Sequence, residues 1–257
     1  GVIVMEASKQ IYAANTVKAT RRRRVLAATF ALGVSCWPNA GWTQTAISGE
    51  ARTMSSNAAT AGGLTEALEG HVRELSAKIG ERSVLRGDGL DRAKAYVRGA
   101  FEAAGLTVTE QAYEYDGRRV ANLIADPPGA VTDATPYIIG AHYDSVIGTP
   151  GADDNASGTA ALLQVAAAFK GSAPRRTILF ASFSAEEDGL VGSRELVSAL
   201  PVPREQVVAM VNMDMLGVGP KNAVSCMGFK QNPGMKKVVT RANRLGRTGL
   251  RRITEVN

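Results

Sequence analysis

The chain reads as an α/β protein: a three-layer α/β/α sandwich around a mixed, mostly parallel central sheet. Three observations predict it. Strand and helix patterns alternate through residues 136–213, as parallel strands require, because each pair needs a crossover helix between them. The strands of that run are almost continuously apolar, the mark of strands covered on both faces. Upstream, residues 107–115 and 119–125 flank Asp116-Gly117, a hairpin signature that adds antiparallel strands to the sheet.

Taken in order, residues 64–79 place Leu64, Leu68, Val72 and Leu75 at helical spacing. Residues 89–104 do the same with Leu90, Ala93, Val97, Ala100 and Phe101. Gly105 is placed to end the second helix in a left-handed conformation. Asp126-Pro127-Pro128-Gly129 breaks the chain after the hairpin. Tyr137, Ile138 and Ile139 then run as a strand into His142. A Gly-rich turn leads to an apolar helix at 160–169. Residues 175–184 and 207–213 form two further strands, the second delivering Asp214 just before Gly217.

Residues 1–60 read as lying outside this domain. Arg21 to Arg24 form a basic cluster, followed by twelve mostly apolar residues at 25–36 and then Trp37-Pro38. A membrane span would need ~20 apolar residues, so the pattern reads as a signal peptide region over residues 1–40. A Thr/Ser/Ala/Asn-rich linker or propeptide remnant covers 41–63, and the catalytic domain covers 64–257. Export to the periplasm or the medium is the localisation expected. A lipoprotein signal ending at Cys36 is a weaker reading, because Leu32 stands one residue too far from the cysteine. Without Cys36, Cys226 is alone and no internal disulfide can form.

The formal net charge of +6 needs partitioning. Residues 1–60 hold seven Lys/Arg against two Asp/Glu, so most of the basicity sits in the signal region and gives no case for nucleic acid. In the remainder, 61–220 is acidic and 221–257 holds nine Lys/Arg against one Asp/Glu. Lys236, Lys237, Arg241, Arg244 and Arg247 read as the solvated face of a helix. His71, on the first helix, reads as a surface or packing residue.

The chemistry concentrates at three strand ends. His142 and Asp144 follow the first strand, with Asp153 and Asp154 in the turn beyond. Glu186, Glu187 and Asp188 follow the second strand, and Asp214 the third. Parallel strands bring such ends to one edge of a sheet, where ligands gather. A single histidine among several carboxylates suits Zn2+ or a similar divalent cation with N and O ligands. Each group alone has an ordinary alternative, such as a helix cap for Asp153-Asp154-Asn155 or a solvated loop for Glu186 to Asp188. It is their joint occurrence that favours a metal site.

The motifs HYDS, GADDNASG, AEEDGLVGS and NMDMLG, in this order, resemble those of the bacterial co-catalytic zinc aminopeptidases. That family of zinc exopeptidases includes leucyl aminopeptidases, glutamate carboxypeptidases and transferrin-receptor-like ectodomains. The resemblance runs from about Leu64 to the end of the chain. It implies two zinc ions ~3.5–4 Å apart, hydrolysing the N-terminal peptide bond of peptides with a free N-terminus. It assigns His142 and Asp214 to one metal and Glu187 to the other. Asp154 would bridge the two and precede a cis peptide bond to Asn155. Glu186 becomes the general base, and Asp144 the group that orients His142.

The family's other zinc also takes a histidine well downstream of NMD, and no histidine follows Asp214. The expectation drawn from this is a zinc-exopeptidase-like domain incomplete at its C-terminus, with inactivity of the chain as given left open by the absent ligand. The rivals are a non-catalytic, metal-poor binding ectodomain or inactive truncated product and, among enzymes, a carboxypeptidase or glutaminyl cyclase. Glutaminyl cyclases share the fold with one zinc, but deviate in the motif after HYD.

Overall fold

The computed structural model describes residues 4–7, 61–127, 136–172, 174, 176–230, 232–246 and 248–255. The basic cluster and apolar run of the expected signal region, Cys36, most of the expected linker and Arg247 lie outside the described residues. No helix among the described residues is long and apolar enough to cross a membrane.

The centre is a six-stranded mixed sheet in the order β1-β6-β4-β5-β3-β2. Strands β1 (Val4–Ala7), β6 (Ala209–Met213), β4 (Tyr137–His142) and β5 (Ile178–Phe183) are parallel. β3 (Arg118–Asp126) and β2 (Thr107–Tyr115) complete it antiparallel. The hairpin turn has positive φ at both Asp116 and Gly117, as a type I′ connection requires. It sets the register Tyr115 opposite Arg118.

Period-two alternation sends side chains from each strand to opposite faces. Ile178 and Phe180 of β5, Ile139 and Ala141 of β4, and Leu123 and Ala125 of β3 pack into one core. That core is covered by α1 (Ala61–Arg73), α2 (Gly89–Ala103) and α3 (Gly158–Ala168). Their neighbours Leu179, Ile138 and Ile124 face the other way, into a smaller core with Leu196 of α4 (Val191–Ser198). Helices on both faces make the three layers expected.

Two boundaries depart from expectation. The first helix does not run uniformly from 64 to 79: α1 ends at Arg73 and passes into a wider π-type turn at Glu74–Ile79. And not all of residues 1–60 stand apart, since Val4–Ala7 pairs with Met210–Met213 at the sheet edge. The run Val2-Ile3-Val4-Met5 has high strand propensity, but the basic segment after it drew the sequence reading. The second helix ends as predicted. The Gly105 and Leu106 amides donate to the Glu102 and Phe101 carbonyls, with Gly105 at φ 83, a Schellman closure.

Beyond Asp214, β7 (Ala223–Cys226), α5 (Pro233–Gly246) and β8 (Arg252–Glu255) form a parallel β-α-β unit with its own two-stranded sheet. Its core is Cys226, Phe229 and Val239. Lys236, Lys237, Arg241 and Arg244 are exposed on α5, as read from the sequence. His71 is a packing residue: its Nε2 lies 2.9 Å from the Gln164 amide nitrogen and its Nδ1 2.7 Å from the Tyr96 hydroxyl. The amide nitrogen can only donate, so Nε2 accepts and Nδ1 carries the proton.

Candidate metal centre

Strands β4, β5 and β6 run parallel in adjacent positions, so their C-terminal ends meet at one edge of the sheet. His142, the last residue of β4, is 1% exposed there. Its Nε2 lies 3.2 Å from Asp154 Oδ1, 3.4 Å from Asp214 Oδ1 and 3.8 Å from Glu186 Oε2. On the far side of the ring, Nδ1 lies 3.3 Å from Asp144 Oδ1. Asp144 also accepts the Glu187 backbone N–H through Oδ2 at 3.2 Å, which ties the ends of β4 and β5 together. Asp144 is thus beside the ring nitrogen it was expected to orient.

These distances fit a cation better than a hydrogen-bond network. With metal–ligand bonds of ~2.0–2.1 Å, the edge of a tetrahedron between two ligand atoms is ~3.3 Å. The Nε2 separations from Asp154 and Asp214 fall on that edge. Meanwhile both nitrogens of His142, Asp144 Oδ1, Glu187 Oε1 and Asp214 Oδ1 are buried without an aligned hydrogen-bond partner. Buried polar atoms left unpaired are costly, and on the Nε2 side of the ring His142 Nε2 and Asp214 Oδ1, 3.4 Å apart, have the donor chemistry of a divalent-cation site. Two overlapping groups have ligand atoms within 4.8 Å of one another: His142, Glu186 and Asp214, and His142, Asp154 and Glu187.

The electrostatics agree. Burial pushes the Glu186 carboxyl up to about 7 and Glu187 up to about 8, with the neighbouring carboxylates adding to both and His142 opposing. Burial alone would lower the His142 pKa. Asp144, Asp154 and Asp214 outweigh it and raise the imidazole well above its ordinary value. Negative charge is concentrated here beyond what one imidazole neutralises.

The backbone around the site is specialised. The Asp154–Asn155 peptide bond is cis. Gly151, at φ 52, sits so close to Asp154 O, Ser145 and Arg82 that a Cβ there would collide. Ala185 and Met215, at the ends of β5 and β6, both have positive φ (53 and 50). That conformation is uncommon for a side-chain-bearing residue and costly to hold, and here it aims the neighbouring Glu186 and Asp214 into the cluster.

Three supporting residues had escaped sequence reading, or had been given a different place. Asp153 does not join the cluster. Its Oδ1 accepts the Gly217 and Val218 amides at 2.7 and 3.0 Å, so it caps the loop after β6. Asn155, fully buried, donates to Met213 O at 3.0 Å and accepts the amides of Gly158 and Met215. Asn122, on β3, accepts the Ser184 amide at 3.2 Å and donates to Gly192 O at 2.7 Å, holding the turn that carries Glu186 and Glu187. An Asn within an apolar strand was the available signal for the last.

Among curated relatives, the leupeptin-inactivating enzyme 1 of Streptomyces exfoliatus is 36% identical over 156 residues, 58% of this chain and 35% of its own. An aminopeptidase of Pseudomonas aeruginosa is 43% identical over 81 residues, 31% of this chain and 15% of its own. The chain spans between a third and a half of the length of the first such relatives. Two solved structures share the fold. Porphyromonas gingivalis glutaminyl cyclase has TM-score 0.62 at 20% identity, covering 75% of this chain and 76% of its own. A Zn-dependent exopeptidase of Parabacteroides distasonis has TM-score 0.60 at 21% identity, covering the same shares. The chain matches Peptidase family M28 over residues 122–253, a span that holds every strand end of the cluster, and it belongs to that family of zinc metallopeptidases.

Proposed function

We propose that this M28 domain is an exported aminopeptidase that hydrolyses the N-terminal peptide bond of peptides at a two-zinc centre. The observation that carries the reading is the placement of Asp154 and Asp214 at tetrahedral-edge distances from a buried, unpartnered His142 Nε2. His142, Asp154 and Asp214 would hold one zinc, Asp154 and Glu187 the other. Asp154, 40% exposed at its side chain, is the carboxylate free to reach both. Zinc, when bound, supplies Lewis acidity that polarises a carbonyl and acidifies water.

The chain's own groups divide the remaining work. Asp144 lies on the Nδ1 side of His142, where it fixes the ring so that Nε2 faces the cation. Glu186 is partly open to solvent and close to the cluster without being its nearest oxygen. Its carboxyl, pushed up to about 7 by burial, suits taking a proton from water and returning it to the leaving amine near neutral pH. The names of relatives, aminopeptidase among them, support the exopeptidase reading. The basic cluster and apolar run at 21–36 support export.

The test is zinc content together with hydrolysis of aminoacyl anilides and of the same substrates N-acetylated. Two zinc per chain and cleavage confined to free N-termini would support the proposal. Zinc binding without hydrolysis would favour a binding domain, and cleavage of acetylated substrates would remove the aminopeptidase assignment.

A further inference from the structure

Among the described residues, Arg82 is the largest fully buried side chain, at 0% exposure, and no carboxylate pairs with it. All of its side-chain hydrogen bonds go to backbone carbonyls. Nε donates to Tyr143 O at 2.8 Å and Nη2 to Gly151 O at 2.9 Å. Nη1 donates to Pro150 O at 2.7 Å, Gly80 O at 2.9 Å and Leu75 O at 3.0 Å. Its backbone amide donates to Ser145 Oγ at 3.0 Å. A guanidinium has five N–H donors in one rigid plane, so these acceptors are fixed relative to one another.

The acceptors are not scattered. Tyr143 follows His142 directly, and Pro150 and Gly151 begin the turn that presents Asp154. One planar group therefore sets the separation between the strand end that carries the imidazole and the turn that carries the carboxylate. Leu75 and Gly80 anchor that plane to the π-type turn and the residue that closes it, away from the chemistry. Burying a cation among neutral carbonyls is expensive, and an apolar residue of similar volume often serves stability as well or better. Asp144, Asp154 and Glu187 supply the missing compensation: their fields oppose the loss of charge that burial would cause.

We infer that Arg82 is a positioning residue of the metal centre, holding His142 and Asp154 at the spacing a divalent cation needs. The inference rests on the metal-site reading proposed above.

The experiment is zinc affinity of the full chain, by competition with a chromophoric chelator, for wild type, Arg82→Lys and Ser145→Ala. Apo-protein circular dichroism and thermal midpoint are measured in parallel. Arg82→Lys keeps the charge but loses the fork, and it should weaken zinc binding by about 10–100-fold, the usual effect of losing a group that orients ligands. Ser145→Ala loosens the same loop from the backbone side and should weaken binding by a smaller factor with the fold intact. It keeps the test decisive if Arg82→Lys does not fold. Unchanged zinc affinity in a folded variant, whatever its thermal midpoint, would overturn the inference and leave Arg82 a structural clamp. Wild type that binds no zinc would instead overturn the metal-site reading itself.

Discussion

The central sheet and the β7-α5-β8 unit follow each other in the chain but are built to different standards. All six residues of β5 are buried, its two faces covered by separate cores. Of the fourteen residues of α5, one is buried, and the unit's core comes down to Cys226, Phe229 and Val239. The unit uses the same β-α-β topology with far less apolar surface removed from water. Buried area is the main stabilising term in folding, so stability concentrates where the titratable cluster lies. Burying the unpaired polar atoms of that cluster is affordable only beside so large a core.

The sharpest way to test this division is chemical. Glu186→Gln is expected to lower kcat by about 10²–10⁴-fold, the range for loss of a general base, with zinc content unchanged. Neutralising the exposed Lys236 and Lys237 together should leave kcat unaltered. A comparable loss from the α5 pair would dissolve the contrast. Next in size is packing. Phe180 is fully buried against Phe101 and Phe169, and Phe180→Ala should cost about 3–5 kcal/mol in denaturant unfolding. Val239→Ala in α5 should cost about 1–2 kcal/mol, from the methyl groups removed. Hydrogen exchange should show that loss confined to α5 and its two strands.

The smallest effect concerns His71, half-buried where α1 meets Tyr96 of α2 and Gln164 of α3. Burial lowers its pKa below the ordinary 6.5, and both ring nitrogens are used in its neutral form. The unfolded chain therefore binds the proton first. The contribution to stability is complete above the ordinary value and is lost as pH falls from there through the lowered folded value. His71→Gln should remove that part of the acid-side slope, read from denaturant unfolding as a function of pH. An unchanged slope would mean that His71 is equally protonated in both states.

Much of this molecule was legible in its sequence, and the exceptions share a cause. The hairpin declared itself through Asp116-Gly117 between two strand patterns, and β4 to β6 through apolar runs ending in acidic groups. Those signals are local, set by turn chemistry and by period. Arg82 gave no such signal: in Glu81-Arg82-Ser83 it looks like any solvated loop arginine, and its partners beside the cluster, Tyr143, Pro150 and Gly151, lie 61 to 69 residues away. The strand Val4–Ala7 was missed because its partner, β6, lies some two hundred residues downstream. Asp153 was grouped with Asp154 because adjacency cannot show that a bend in the backbone sends the two side chains to different loops.

That bend has a consequence for how the domain can vary. Asp153 caps the amides of Gly217 and Val218, while Ser157 Oγ accepts the Leu216 amide at 2.8 Å. The segment Asp153 to Ser157 and the turn after β6 therefore share a single set of anchor points, and lengthening either would disturb the other. Residues such as Val146 and Ile147, exposed and short of those anchors, carry no such tether. Insertions and sequence drift should collect there, leaving the paired turns the least elastic stretch of an otherwise adaptable rim.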